Sequence, residues 1–204
     1  MSGWSKPIIT DSGGFQAYSL IRENAKFGKI NENGITITPE GSKRKLLLSP
    51  EKTVQLQMSY GSDVVICLDQ CTHPDDSDQV QRESVRRTIE WAKRCKHEFT
   101  KRLIHTEKDT KPPKIFGVVQ GGNSFELRKT CADALLEIGF DGFGFGGWPL
   151  DGEGNLVEDI LQYTRELIPA EYPLHALGIG HPENVVRTFR LGYDIFDCAM
   201  PTRD

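Results

Sequence analysis

The chain has 204 residues, with 37% hydrophobic and 26% charged residues and a formal net charge of -4. That length allows one domain to bury a sizeable core. The acidic balance gives no reason by itself to expect nucleic acid, because dedicated binders carry a basic excess, so any such surface must be local or lie outside this chain.

Taken in order, Pro7 to Thr10 is a short apolar run that stops at Asp11-Ser12-Gly13-Gly14-Phe15-Gln16. Residues 21–48 read as an inserted β-hairpin meander around Asn33-Gly34, with Asn-Gly supplying the positive φ angles of a tight turn. Ser49 and Pro50 open a helix through Val54 and Met58 that ends at Gly61. Asp63 to Asp69 is β-branched and apolar on both faces, the pattern of a buried parallel strand. A long helix follows on Val85, Ile89, Ala92, Phe99 and Leu103. Its other face carries Arg82, Arg86, Arg87, Lys93, Arg94, Lys96, Lys101 and Arg102, which reads first as a solvated face and second as a surface for phosphates.

The alternation then repeats. Strand Ile115–Val119 ends at Gln120-Gly121-Gly122, before a helix capped by Ser124. Strand Asp141–Phe145 ends at Gly146-Gly147, before a helix capped by Asn155 with Glu158 three residues on. Strand Leu174–Leu177 ends at Gly178-Ile179-Gly180, Pro182 opens the next helix, and a last strand stops at Asp197. Strand, helix, strand at intervals of roughly 30 residues implies right-handed crossovers and a parallel sheet.

Six strand ends carry residues that a core does not require: Asp11, Asp69, Gln120, Gly146-Gly147, Gly178 and Asp197. In a β/α barrel such ends share one rim, where chemistry is built. An open doubly wound sheet also binds ligands at carboxyl ends, but the serial punctuation favours the barrel. The expected fold is therefore α/β, a TIM-type (β/α)8 barrel that is incomplete, with about six of eight strands in one domain over residues 1–204.

Two carboxylates facing a sugar can divide the work, one attacking the anomeric carbon and holding a covalent ester while the other moves a proton. Asp197 equally suits a strand-end turn or a helix N-cap, Asp69 a plain cap, and Asp11 in Asp-Ser-Gly-Gly a turn closed by its own side chain. Gly146-Gly147 lets backbone approach a flat ligand or is a simple loop, and Gln120 suits a base edge or a turn. Phe15 and Leu177 suit the core or, at a rim, stacking on a planar ring. Cys67, Cys71, Cys95, Cys131 and Cys198 are odd in number and contain no C-x-x-C pair, so they read as reduced core thiols with no metal site. No apolar run reaches the roughly 20 residues that span a bilayer, and no signal-peptide pattern opens the chain, so a cytoplasmic protein is expected.

The stretch containing Thr10-Asp11-Ser12-Gly13-Gly14-Phe15-Gln16 resembles the signature of the tRNA-guanine transglycosylases. Five further blocks resemble that family in the same order: Gly61 to Cys71, Val118 to Gly121, Gly139 to Gly147, Leu177 to Gly180 and Ile195 to Arg203. The resemblance implies exchange of guanine in tRNA for a 7-deazaguanine. Asp197 would be the nucleophile at ribose C1′ and Asp11 the proton acceptor. Asp69, Gln120, Gly146 and Gly147 would read the base edge; Ser12, Gly13 and Gly14 would line its site, and Phe15 and Leu177 would sandwich its ring. Gly178, Ile179, Gly180, His181, Pro182, Glu183, Asn184, Thr202 and Arg203 would touch RNA. A homodimer or heterodimer is compatible with this reading.

The chain departs from many bacterial members at Gln70, where they carry glutamate, and at Trp148-Pro149-Leu150-Asp151-Gly152-Glu153, where they continue Leu-Ala-Val-Gly-Glu. The second difference falls in the loop that sets base choice in the family. By the resemblance, the first barrel strand and the zinc site of three cysteines and one histidine lie outside residues 1–204. The alternatives are a non-catalytic RNA-binding or partner subunit of the same fold, a DNA-guanine transglycosylase, and a glycoside hydrolase on a similar barrel with a pocket open to water.

Overall fold

A computed structural model of the chain describes residues 4–39, 41, 44–104 and 111–199. Its parallel strands are β1 (Ile9–Thr10), β5 (Val64–Ile66), β6 (Lys114–Val119), β7 (Gly142–Phe145), β8 (Leu174–Ala176) and β9 (Ile195–Phe196), and they form one sheet in that order. Its helices are α1 (Gly14–Glu23), α2 (Pro50–Ser59), α3 (Asp78–Leu103), α4 (Phe125–Ile138), α5 (Glu158–Leu167) and α6 (Pro182–Arg190). β2 (Gly28–Asn31), β3 (Gly34–Ile37) and β4 (Leu46–Leu48) form a separate antiparallel sheet between β1 and β5 in the chain. Spatial order follows chain order with no reversal, so the sheet has the winding of a β/α barrel and lacks the switch point of a doubly wound sheet. Among the described residues, no helix is long and apolar enough to cross a membrane.

The chain sorts into two compact units, residues 1–68 with 90–116, and residues 69–89 with 117–204. In the first, Ile35, Val54, Val65, Ile66, Trp91, Cys95 and Ile115 are buried. Gln57 is a buried polar side chain in that core. Its amide nitrogen donates to the Ile66 carbonyl at 2.8 Å and its carbonyl accepts from the Ile66 amide at 2.9 Å, fastening α2 to β5 as a backbone strand would. Ser49 caps α2 by accepting from the Lys52 amide, with Pro50 in the first turn.

Two expectations about the meander change. Residues 21–23 complete α1, which ends where the Asn24 amide bonds the Leu20 carbonyl, so the inserted strands begin at Gly28. The β2–β3 turn consists of Glu32 and Asn33, and no residue other than glycine has positive φ among the described residues. Asn33 is instead held by its amide donating to Asn31 Oδ1, a side-chain turn that needs no left-handed conformation. Gly34 does supply a positive φ, +136°, and is required for a second reason as well: a Cβ there would lie 2.2 Å from the Leu48 carbonyl oxygen.

In the second unit, Cys131, Leu135, Phe143, Phe145, Leu161, Leu174, Ala176 and Tyr193 are buried. Ser124 caps α4 by accepting from the Leu127 amide. Asn155 does not cap α5, which starts at Glu158 with no side-chain cap. Its side chain donates to Asp151 and Glu153, so it is committed to the preceding loop, and a Leu150–Leu156 bridge closes that loop.

The basic face of α3 is largely neutralised. Arg86 and Arg87 pair with Glu83, Lys93 with Glu90, Arg102 with Glu98, Arg94 with Glu51 and Arg82 with Glu126. These pairs favour the solvated reading of that face.

Candidate active site

In the first unit, β1 delivers Asp11 and Ser12 to the start of α1. Asp11 Oδ2 accepts from the Gly13 amide and Ser12 Oγ from the Gly14 amide, both at 3.2 Å. Gly13 has φ +78°, which L side chains rarely adopt. The side-chain turn expected for Asp-Ser-Gly-Gly is therefore present, yet Asp11 and Phe15 remain exposed, Phe15 at 45%. Neither side chain belongs to the core of this unit.

In the second unit, the ends of β6 and β7 and the segment after β5 meet. Gln120 is completely buried, and its Nε2 donates to Asp69 Oδ2 at 2.6 Å. Its Oε1 is buried and has no hydrogen-bond partner among the described residues. A buried carbonyl without a donor costs free energy unless a ligand supplies one. The Gly146 amide donates to the Val119 carbonyl at 2.9 Å, and a Cβ on Gly146 would sit 2.6 Å from Gln120 Nε2 and from Val118 Cγ1. Glycine at 146 is thus the condition for Gln120 to occupy this corner. Gly147 has φ +96°, and its hypothetical Cβ would approach Gln120 Oε1 at 3.5 Å.

Asp197 lies just past β9. His175 Nε2 is 2.8 Å from its Oδ1, and the Gly178 amide donates to the same oxygen at 3.1 Å. His175 is 4% exposed, and its Nδ1 is buried with no partner among the described residues, so the proton on Nε2 is the one that faces Asp197. Burial pushes the Asp197 carboxyl up, but the bonds from His175 and Gly178 and the charge interaction with His175 outweigh it and hold the group below its ordinary value. The result is an exposed carboxylate with one oxygen fixed by two donors.

Leu177, half-buried after β8, packs so closely on β7 that a Cβ on Gly144 would meet its Cδ1 at 2.9 Å. Gly178, Ile179, Gly180, His181 and Asn184 line a cavity of about 140 Å³ with Pro149, Leu150 and Cys198. A Cβ on Gly180 would fall 2.0 Å from Cys198 Sγ, so that wall of the cavity requires glycine. His181 precedes α6, and Pro182, Glu183 and Asn184 form its first turn. Thr202 and Arg203 lie outside the described residues.

The structure therefore brings together Asp69, Gln120, Gly146 and Gly147, and separately His175, Gly178 and Asp197; Asp11 through Phe15 form their own cluster in the first unit. His175 and Arg128 were not singled out from the sequence. A histidine inside the apolar run Leu174–Leu177, and an arginine between Leu127 and Cys131 on the buried side of α4, were the available signals. Among the described residues, no group of three or more His, Cys, Asp or Glu side chains could hold a metal ion.

The queuine tRNA-ribosyltransferase family model matches residues 1–204. The chain is 40% identical over 201 residues to a protein named queuine tRNA-ribosyltransferase from Actinobacillus pleuropneumoniae serotype 3 (strain JL03), covering 98% of this chain and 50% of the relative. Proteins of the same name from Psychrobacter sp. (strain PRwf-1) and Mannheimia succiniciproducens are 40% and 39% identical over 98% of the chain. The chain spans about half the length of these curated relatives. With the whole chain matched and the strand-end residues in place, this chain belongs to the queuine tRNA-ribosyltransferase family.

Proposed function

We propose that the chain carries the base-exchange site of a tRNA-guanine transglycosylase that replaces guanine in tRNA with a 7-deazaguanine in the cytoplasm. Asp197 attacks ribose C1′ with the oxygen not held by His175 and Gly178. An Asp197–C1′ bond forms as the C1′–N9 bond breaks, and the bonding pair leaves with guanine. Asp11 takes the N9 proton of the incoming base, whose N9 then displaces the carboxylate. Asp69, Gln120 and Gly147 read the base edge, Gln120 Oε1 accepting a ligand N–H, while Phe15 and Leu177 cover the two ring faces. The segment from Gly178 to Asn184, together with Thr202 and Arg203, contacts RNA. The zinc site of the family belongs outside these residues.

The observation that carries this reading is the Asp197 carboxylate, oriented by two donors and kept ionised at a strand end. The protein that carries this chain should form a denaturation-resistant adduct with its RNA. Asp197→Ala should abolish the adduct and lower exchange by at least about a thousandfold. An adduct that survives the substitution removes Asp197 from the nucleophile's role.

A further inference from the structure

Arg128 is the largest charged side chain inside the second unit, 1% exposed, and nothing in the base exchange uses it. Among the described residues it makes no ion pair with a carboxylate. Its Nη1 donates to the Val119 carbonyl at 2.7 Å and its Nε to the Gly122 carbonyl at 2.9 Å, bracketing Gln120 from both sides along the chain. The guanidinium lies 4.1 Å from the centre of the Phe145 ring, the residue just before Gly146-Gly147. Its Nη2 and Gln120 Oε1 stand equally close, 3.5 Å, to the place a Cβ on Gly147 would occupy. Gly121, between the two bracketed carbonyls, has φ +144°, and a Cβ there would strike the Arg128 backbone nitrogen at 2.6 Å.

One rigid fork thus touches the chain before Gln120, the chain after it, and the ring that precedes the glycine pair. Burying a guanidinium without a carboxylate is costly, and burial pulls its proton affinity down to about 10. A packed apolar side chain would fill the same space without that cost but could not hold two carbonyls.

We propose that Arg128 is the positioning residue of the base-reading edge, fixing the Gln120 carboxamide and the Gly147 backbone in the relation that recognises a purine-like edge. The role rests on the reading of Gln120 as a base contact. Arg128 touches no substrate; it acts through Gln120. Because the fork matters and the charge alone does not suffice, lysine cannot replace it: an ammonium cannot span both carbonyls and lie flat on a ring.

The test uses steady-state exchange by the full-length protein that carries this chain, with base and tRNA varied separately. Arg128→Lys should raise the KM for the free base by about tenfold or more while kcat at saturating base and the KM for tRNA stay within about threefold. Gln120→Ala should raise the same KM, and the Arg128→Lys effect should largely vanish in the Gln120→Ala background. Phe145→Leu, which removes the ring face but keeps an apolar side chain, should change base KM in the same direction if Arg128→Lys does not fold. An unchanged base KM in Arg128→Lys beside a raised one in Gln120→Ala overturns the role of Arg128 alone. A loss shared equally by kcat and both KM values also overturns it, leaving general stability. An unchanged base KM in Gln120→Ala overturns the base-edge reading itself.

Discussion

His175 fixes Asp197 through a single 2.8 Å contact, and the consequence is a pH dependence. The folded carboxyl sits below its ordinary value, so the stabilisation it gains is present above the ordinary carboxylate range and is lost as pH falls through the folded value. His175→Ala removes the donor and leaves the upward push of burial. The acidic limb of kcat/KM should then move to higher pH, with a loss of about ten- to a hundredfold at neutral pH. An acidic limb that does not move would show that His175 does not support the ionised form. At this scale the carboxylates were legible in the sequence because they interrupt apolar runs at strand ends. His175 was not, since its burial in a short strand buried throughout looks the same as that of a core residue until the end of β9 places a carboxylate against it.

Elements respond to their caps and close approaches. Ser124→Ala removes the oxygen that accepts from the Leu127 amide and should lower stability by about 1 kcal/mol in urea titration. Asn155→Ala should leave α5 intact, because the helix takes no cap from it; its effect falls on the loop before it. Gly34→Ala places a methyl 2.2 Å from the Leu48 carbonyl oxygen at a φ of +136° and should cost roughly 2 kcal/mol or more, read as a lowered urea midpoint. Caps and helix starts with serine and proline were readable from local chemistry. The Asn33 conformation and the Asn155 contacts were not, because each depends on which neighbouring donor or acceptor captures a short polar side chain.

For the whole molecule, the sheet order came out of simple alternation: crossover helices return the chain to the next strand, and glycines after β6, β7 and β8 and aspartates after β1, β5 and β9 mark where the strands stop. What alternation could not reveal is that α3 gives residues 78–89 to one unit and 90–103 to the other. Glu90 sits at that border, exposed and paired with Lys93 of its own helix. Glu90→Pro should therefore cost about 3 kcal/mol through the backbone alone, and hydrogen exchange should rise on both halves of α3. Protection lost on one half only would show that the helix does not couple them.

The loop after Gly147 closes on itself. The Asp151 carboxylate accepts from the Glu153 and Asn155 amides, the Asp151 amide returns to the Asn155 carbonyl, and Leu150 pairs with Leu156. Outward, Trp148 meets His73 edge-on, and Pro149 and Leu150 line the cavity beside Gly178 and Cys198. The fold of residues 150–156 is thus held by bonds between its own residues, so a substitution within it is first felt in that turn.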